Sequence, residues 1–249
     1  MTTEPHRLSL RVVVPPLGTR ASVECRPIVD GRDILTDVFD EGPAADPRYL
    51  LGPNAPLKNA TDVPREVRLA EAGCTERCCG AVYVTVRREG QYVIWSGWRN
   101  PDTEEFDLPE FRFDVDQYAA EVHRATTDHS WEWPARTVAR LLEERLREHT
   151  DWLTTWDCEL YAVSAWPWEP EQIAIFLFHP GWSAIGEDRP WLQFRMTIPI
   201  SGDDPADQVE HLEARLTAED PREVAEVCGG SKEFADQLGY PRPGPRRRV

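Results

Sequence analysis

The sequence predicts an α+β fold in which antiparallel strands form three strand groups and helices pack on one side of the sheet. Three observations support this class. Strand-like segments occur in runs that are separated by helix-like runs, and this segregation is typical of antiparallel sheets rather than of βαβ units. Apolar residues alternate with more polar ones along several of the segments. Capping residues and prolines open the runs in which apolar residues recur at helical spacing.

Each strand group contains three segments of strand length. In the first group, Asp30-Gly31 lies between two segments as a hairpin turn. In the second group, Val82, Val84 and Val86 alternate with less apolar residues, which predicts a strand with one covered face. The predicted strands are residues 8–14, 21–29 and 32–39; residues 65–72, 79–88 and 91–98; and residues 158–166, 172–180 and 190–200.

The helices are predicted from apolar residues at helical spacing together with capping signals. Two helices follow the second strand group, and further helices follow the third. One of these is expected to run from Pro221 to a terminal Gly229, and a last short helix is predicted over residues 231–239. The capping or first-turn residues are Asp114, Pro134, Asp204 with Pro205, and Asp220 with Pro221.

The domain organisation is predicted from length and composition. A chain of 249 residues that is 41% hydrophobic can bury a large core. We expect a single α+β domain over residues 1–239, with a possible subdivision near the acidic loop 99–111. Residues 240–249 are rich in arginine and proline and are expected to be a disordered tail.

The net charge of the chain indicates which classes of partner it can bind. The formal net charge is −16, and the four arginines of the tail offset part of it, so residues 1–241 carry −20. An acidic surface repels nucleic acid and anionic membranes and favours a basic protein partner. We therefore expect a protein partner, possibly basic, with no nucleic-acid or membrane binding. The sequence leaves the oligomeric state open.

The N-terminal residues lack the apolar run of a secretory signal, and the longest apolar run, at residues 173–178, has only the length of a strand. We expect a cytoplasmic protein, in which thiols are free or metal-bound rather than bridged.

The familiar catalytic and cofactor motifs do not occur in the sequence. It contains no G-x-G-x-x-G, no phosphate-binding loop and no H-E-x-x-H. Residues 181–186 approach a nucleophile elbow, but the second glycine falls one position late. No cofactor is therefore expected, and no catalytic residue is assigned.

Three of the six cysteines lie close together, in the stretch CTERCCG. Cys74, Cys78 and Cys79 could supply three thiolates to a metal, but neighbouring strand residues point to opposite faces and no fourth ligand is placed by the sequence. We interpret them as small buried thiols in a turn. The alternative is a metal site or a reactive thiol.

Ten tryptophans are an unusual number for this length, and four of them form two Trp-x-Trp pairs. These are Trp131 with Trp133 and Trp166 with Trp168. In an extended segment each pair would place two indoles on one face, about 7 Å apart, as a platform for a sugar, a base or a peptide. The alternative is that they pack helices onto the sheet.

The segment between the second strand group and its helix is strongly acidic. Asp102, Glu104, Glu105 and Asp107 are its candidate partner-binding residues. The spacing lacks the central glycine of a calcium-binding loop, so a solvated loop is the other interpretation.

The chain resembles a group of hypothetical proteins from high-GC actinobacterial genomes, over most of residues 45–180. The resemblance lies in AGCTERCCGAVYVTV, LPEFRFDVDQYAAEV and DHSWEWPARTVARLL, continued by WDCELYAVSAWPWEP. It implies a cytoplasmic bacterial protein. No activity is established for that group, so the resemblance assigns no site residue.

Two functions remain open from the sequence. The leading hypothesis is a non-enzymatic interaction protein, for example an immunity-type inhibitor whose acidic surface covers a basic toxin or nuclease. The alternative is a small-ligand-binding or catalytic domain that uses the Trp-x-Trp pairs, with a thiol or metal site at Cys74, Cys78 and Cys79.

We predict that the protein purifies without stoichiometric metal, because alternation along the strand separates Cys78 from Cys79. Elemental analysis of protein purified without chelator measures this. Stoichiometric zinc or iron that disappears when Cys74 and Cys79 are replaced by serine would contradict the prediction.

Overall fold

The structure is a computed structural model that describes residues 4–36, 38–39, 42–52, 55–58, 60–72, 80–101 and 108–240. It contains helices together with three antiparallel sheets, which confirms the α+β class and the three strand groups. The chain divides into two compact units, residues 1–131 (unit 1) and residues 132–249 (unit 2). The expected single domain over residues 1–239 stays a prediction. The expected tail lies outside the described residues apart from Tyr240.

The described residues of unit 1 form two sheets and two helices. The first sheet has the order β1-β2-β3 and the second has the order β4-β5-β6-β7. Asp30 and Gly31, with φ of 51° and 82°, form the tight turn between β2 and β3, as the sequence predicts. The elements are β1 (Leu8–Val13), β2 (Glu24–Val29), β3 (Arg32–Asp33), α1 (Pro47–Leu51), β4 (Arg65–Glu71), β5 (Ala81–Glu89), β6 (Tyr92–Arg99), β7 (Phe111–Asp114) and α2 (Val115–Thr127).

Short backbone links join the two sheets of unit 1. Ala45 accepts a hydrogen bond from Cys25 of β2 and donates one to Leu69 of β4, both at 2.8 Å. On the other side, the His6 amide donates to the Arg112 carbonyl of β7 at 2.7 Å. The sheets therefore enclose one apolar core, which includes Leu8, Leu10, Cys25, Val67, Leu69, Val82, Val84, Val86, Trp95, Phe113, Tyr118 and Val122.

Side chains of α2 hydrogen-bond to the free edge of β1. Leu8 exchanges two hydrogen bonds with the Gln117 amide, at 3.1 and 2.8 Å. The Leu10 amide donates to Glu121 at 2.7 Å, and the Leu10 carbonyl accepts from Arg124 at 2.8 Å. We call these the α2 edge contacts. They satisfy backbone groups that an edge strand otherwise leaves open to pairing with another chain.

The ionisation of Glu121 follows from these contacts. Burial raises the pKa of this carboxyl, but the hydrogen bonds from Arg124 and from the Leu10 amide outweigh burial and hold it below the usual 4.5. Glu121 is therefore charged at neutral pH and stabilises the position of α2 against β1.

Unit 2 contains one sheet of order β11-β10-β9-β8, with its longest helix packed against β8 and β9. The elements are α3 (Pro134–Glu148), α4 (Thr150–Thr155), β8 (Glu159–Trp166), β9 (Glu169–His179), α5 (Ser183–Gly186), β10 (Leu192–Pro199), α6 (Pro205–Leu216), α7 (Pro221–Val224), β11 (Glu226–Gly230) and α8 (Lys232–Leu238).

The two faces of the unit 2 sheet differ in burial. On β9, Ile173, Ile175 and Leu177 are fully buried, and they alternate with the aromatic residues Phe176 and Phe178. On β10 the apolar residues are buried in the same alternation, whereas the intervening polar residues are half-buried or exposed. The opposite face is partly exposed, since Phe176 of β9 is half-buried and the alternate residues of β10 are half-buried or exposed, and we call it the open face.

Side chains of α3 reach the free edge of β8 in the same manner. Glu143 accepts a hydrogen bond from the Val163 amide at 3.2 Å. Arg147 and Arg136 donate to the carbonyls of Tyr161 and Ala165, both at 3.4 Å. We call these the α3 edge contacts. In both units, therefore, side chains of a helix form hydrogen bonds with backbone groups at the outer edge of a strand.

The capping signals place the helix starts correctly. Asp114, Asp204, Asp220 and Ser231 each accept a hydrogen bond from an amide of the first turn that follows them. Gly239 ends α8 in the left-handed conformation, with φ of 76°.

Three details of the sequence-based assignment are wrong. The helix predicted from Pro221 to Gly229 ends at Val224, because Val227 is buried and Glu226–Gly230 pair with β10 as β11. Of the described residues between positions 32 and 39, only Arg32–Asp33 form a strand. The acidic segment before α2 ends in an unpredicted strand, β7, where Phe111 and Phe113 are buried beside β6.

No helix in the described ranges has both the length and the apolar character needed to cross a membrane.

We predict that Glu121→Ala lowers the free energy of unfolding by about 1–3 kcal/mol, because it leaves the Leu10 amide without an acceptor and Arg124 without its carboxylate. Urea denaturation at pH 7 measures the change. Glu210→Ala, at an exposed position of α6, is the matched control and should cost less than about 0.5 kcal/mol.

The same site predicts a pH dependence. The pKa of Glu121 is lowered in the folded protein, so its contribution is fully present above pH 4.5 and is lost as the pH falls through the folded-state value. In the Glu121→Gln variant, the free energy of unfolding should therefore fall less steeply below pH 4.5 than it does in the wild type. Equal losses in the Glu121 and Glu210 variants would contradict the assigned role.

Candidate functional site

The two residues of the first Trp-x-Trp pair belong to different units. Trp131 is the last residue of unit 1, and its indole N–H donates to the Asp128 carbonyl at 2.8 Å. Trp133 lies in unit 2, immediately before α3, and is 6% exposed. Its buried Nε1 has no hydrogen-bond acceptor among the described residues. Burial of Trp133 agrees with the packing interpretation for this residue.

The second pair adopts a different local geometry from the expected one. Trp166 ends β8, Pro167 and Trp168 form the turn, and Glu169 begins β9. The two indoles stack on each other, 5.6 Å apart and 10° from parallel, instead of lying side by side along an extended segment. Trp166 also contacts Phe176 edge-on at 5.9 Å. The pair therefore packs against itself and against β9.

The remaining predicted residues lie outside the described part of the chain. These are the acidic residues Asp102, Glu104, Glu105 and Asp107 and the cysteines Cys74, Cys78 and Cys79. Within the described ranges, no group of three or more histidine, cysteine or acidic side chains is placed to share a metal ion.

An aromatic cluster occupies the open face of the unit 2 sheet. It consists of Tyr161 from β8, Phe178 from β9, and Trp182 and Trp191 from the connection between β9 and β10. Phe178 is 5% exposed and forms the floor of the cluster, whereas Tyr161 and Trp182 are 49% and 51% exposed. Tyr161 and Trp182 thus form an exposed aromatic patch, because two half-exposed residues are in contact with each other.

The rings of the aromatic cluster are in mutual contact. Tyr161 and Trp182 are stacked, with centroids 5.9 Å apart and planes 3° from parallel. Phe178 contacts Trp182 at 4.9 Å and Tyr161 at 5.2 Å, both edge-on, and Trp191 contacts Phe178 at 5.5 Å. Such contacts hold the exposed rings in position without a ligand.

A carboxylate fixes the backbone beside Trp182. Glu159 Oε2 accepts a hydrogen bond from the Trp182 amide at 2.7 Å. A Cβ atom at Gly181 would lie 2.8 Å from that oxygen, so glycine allows the close approach. Glu159 is exposed and lies opposite Phe178 in the strand register, so its carboxylate is at the margin of the aromatic cluster.

Polar side chains continue the same face across β10 and β11. Arg195 lies opposite Phe176 on one side and Glu226 on the other, and its guanidinium pairs with the Glu226 carboxylate. The exposed thiol of Cys228 lies 3.6 Å from Gln193 Oε1. The open face is therefore aromatic at β8 and β9 and polar at β10 and β11.

His179 and Cys158 are two other residues of unit 2 that could take part in catalysis. Both are buried. His179 is 7% exposed, its Nδ1 is 2.9 Å from the Asp157 carbonyl, and its ring packs parallel to Phe234. Burial raises the pKa of the nearby Cys158 thiol to about 12. The thiol therefore stays protonated and is a poor nucleophile at neutral pH.

An open groove of about 510 Å³ runs between the end of β10 and α6. Its carboxylates are Asp203, Asp204 and Asp207. Asp204 caps α6 and Asp203 accepts a hydrogen bond from the Ser201 hydroxyl, so two of the three serve local structure. Arg215 and His211 also line the groove, so acidic and basic side chains share it.

The described residues of unit 2 carry a large net negative charge. Residues 132–240 contain 22 acidic and nine basic side chains. A potential of this sign attracts cations and repels phosphate groups.

Comparison of the chain with models of known families, with curated proteins and with solved structures finds no match.

The sequence did not identify Glu159, Tyr161, Trp182 or Trp191 as site residues. A signal was present, because an aromatic pair at positions 176 and 178 alternates with aliphatic residues and is followed by two tryptophans in one connection. The run 173–178 instead looks like a strand that is buried on both faces.

We predict that Cys228 is alkylated in the native protein, while Cys25 and Cys158 are not. Burial raises the pKa of both buried thiols to about 12, so at pH 8 they carry roughly a thousandfold less thiolate than a thiol with the ordinary value of 9.0. Peptide mass mapping after brief treatment with iodoacetamide measures the labelling, and unfolded protein is the control. If Cys25 of the native protein were alkylated as fast as Cys228, the buried position of Cys25 would be wrong.

Proposed function

We propose that this protein is a non-enzymatic cytoplasmic interaction protein of the inhibitor or immunity type, and that it binds a basic protein partner through the aromatic cluster of unit 2. The single observation that carries the proposal is the half-exposed Tyr161–Trp182 stack on the open face of the sheet.

Aromatic residues of this kind supply most of the binding energy at many protein interfaces. Tryptophan and tyrosine are enriched among interface hot spots, because a large flat ring buries much area on binding and loses little conformational entropy. Tyr161 and Trp182 already contact each other and Phe178 in the free protein, so little ordering is needed when a partner binds.

Electrostatics support a basic partner. The body of the chain, residues 1–241, carries −20, and residues 132–240 have more than twice as many acidic as basic side chains. An acidic surface around an apolar centre accelerates association with a basic protein and disfavours nucleic acid.

The state of the nucleophilic groups supports a non-enzymatic role. Cys25 and Cys158 are buried thiols whose pKa is raised to about 12, and His179 is packed between aromatic rings with one ring nitrogen beside a carbonyl. These are features of structural residues rather than of a nucleophile and its base.

The alternative, a ligand-binding or catalytic domain built on the Trp-x-Trp pairs, has less support. Trp133 is buried, and Trp166 and Trp168 stack on each other. Elemental analysis, as described above, tests the metal site at Cys74, Cys78 and Cys79.

The proposal predicts that Tyr161→Ala/Trp182→Ala loses its protein partner while a matched variant keeps it. The control is Tyr49→Ala/Trp168→Ala, which also removes one exposed tyrosine and one exposed tryptophan. Tagged versions of the wild type and of both variants are purified from cells of the native organism, and associated proteins are quantified by mass spectrometry. We expect a basic protein to be depleted at least tenfold from the cluster variant only.

Two results would count against the proposal. The first is equal recovery of every associated protein by the cluster variant and the wild type. The second is a cluster-dependent partner that is itself strongly acidic. Circular dichroism of the variants checks that the fold is retained, as expected for substitutions at half-exposed rings.

A further inference from the structure

We infer that the aromatic cluster binds an arginine side chain of the basic partner, whose guanidinium lies against the exposed Trp182 ring and pairs with the Glu159 carboxylate. This inference rests on the proposed function and deepens it, because it names the chemical group that the surface recognises.

The described residues of the protein contain three examples of the same arrangement. In unit 1, the Arg99 guanidinium lies 4.0 Å from the centre of the Tyr83 ring, and the Glu66 carboxylate holds it with two hydrogen bonds of 2.6 and 2.7 Å. In these contacts a planar cation stacks on a ring while a carboxylate pairs with its edge.

The second example is in unit 2. The Arg222 guanidinium lies 5.6 Å from the centre of the Trp156 ring, and the Asp220 carboxylate binds it at 2.8 and 3.0 Å. In the third example, in unit 1, the Arg68 guanidinium lies 5.2 Å from the centre of the Tyr49 ring and pairs with the Glu71 carboxylate at 2.7 Å. Ring, arginine and carboxylate are thus a recurring combination in this chain, twice with tyrosine and once with tryptophan.

Trp182 and Glu159 supply the ring and the carboxylate, but the arginine is not present. No arginine or lysine of the described residues pairs with Glu159, whose one recorded hydrogen bond comes from the Trp182 amide. That bond places the carboxylate beside the backbone that carries the indole. Trp182 is 51% exposed. Glu159 is also exposed, and its hydrogen bond to the Trp182 amide uses Oε2.

Arginine fits this site better than lysine or a phosphate group. A guanidinium is planar, so it can stack on an indole and donate to a carboxylate in its own plane, whereas an ammonium group acts as a compact point charge. Phosphate groups are repelled by the Glu159 carboxylate and by the net negative charge of unit 2.

The test uses the full-length protein and a defined probe, the peptide acetyl-Gly-Arg-Gly-Arg-Gly-amide. The indole N–H signal of Trp182 in a ¹H–¹⁵N spectrum reports binding, and the variant Trp182→Phe assigns that signal. The same peptide with citrulline in place of arginine has nearly the same shape without the charge, and a lysine version keeps the charge without the planar group.

We expect the arginine peptide to shift the Trp182 signal in a saturable manner. The citrulline peptide should bind at least tenfold more weakly, and the lysine peptide should fall between them. Glu159→Gln should weaken the arginine peptide about tenfold, whereas Glu210→Gln, which removes one charge from the exposed side of α6, should have little effect.

Equal binding of the arginine and citrulline peptides, or no effect of Glu159→Gln, would overturn the inference. Binding that appears only after residues 241–249 are removed would also overturn it, since the chain's own arginines would then be the occupant. Failure of the peptide test with a partner that still depends on Tyr161 and Trp182 would reject the arginine site alone. Peptide binding without any cluster-dependent partner would instead reject the proposed function.

Discussion

Hydrogen bonds from helix side chains to the free edge of a strand hold the helix to the sheet in both units. In unit 1 the α2 edge contacts use Gln117, Glu121 and Arg124, and in unit 2 the α3 edge contacts use Arg136, Glu143 and Arg147. The same helices also bury apolar stripes. Two requirements are therefore met by one element, because the helix covers the core and satisfies the backbone groups that an open edge leaves without partners.

The position of α3 decides which surface of unit 2 is open. The helix is held at the β8 edge and buries the aliphatic face of β9, so the face that carries Phe176 and Phe178 is left to other side chains. The connection between β9 and β10 supplies Trp182 and Trp191 to that face. A rigid support with exposed rings is the arrangement expected of a recognition surface, since order within the surface exists before any partner arrives.

Local features of the fold could be predicted from the sequence, and features that depend on distant pairing could not. Asp30-Gly31 and Asp114 act through their nearest neighbours, and both have the predicted roles. Residues 226–230 form a strand only because β10 lies beside them, so a capping signal at Asp220 suggested a longer helix than exists. Tertiary pairing prevails over local preference at such positions.

The candidate site illustrates the same limit. Trp166 and Trp168 were assigned a shared face on the assumption of extended backbone, but Pro167 and Trp168 form a two-residue turn. Tyr161 and Trp182 are separated by 20 residues in the chain and meet only because β8 pairs with β9. Glu159 looked like one acidic residue among many, and its relation to Trp182 depends on the path of the chain after the sheet.

The edge contacts also restrict where residues can be inserted into the chain or deleted from it. A helix advances about 6 Å over four residues, whereas a strand advances about 6.8 Å over two, so the two spacings agree only over a short distance. The α3 edge contacts accommodate the difference by leaving a turn unused between Arg136 and Glu143 and by the reach of the arginine side chain. Inserting one residue within α3 would rotate its later positions by about 100° and turn Glu143 or Arg147 away from β8. Substitutions should therefore accumulate in these helices during evolution, while insertions and deletions should be confined to the connections between elements.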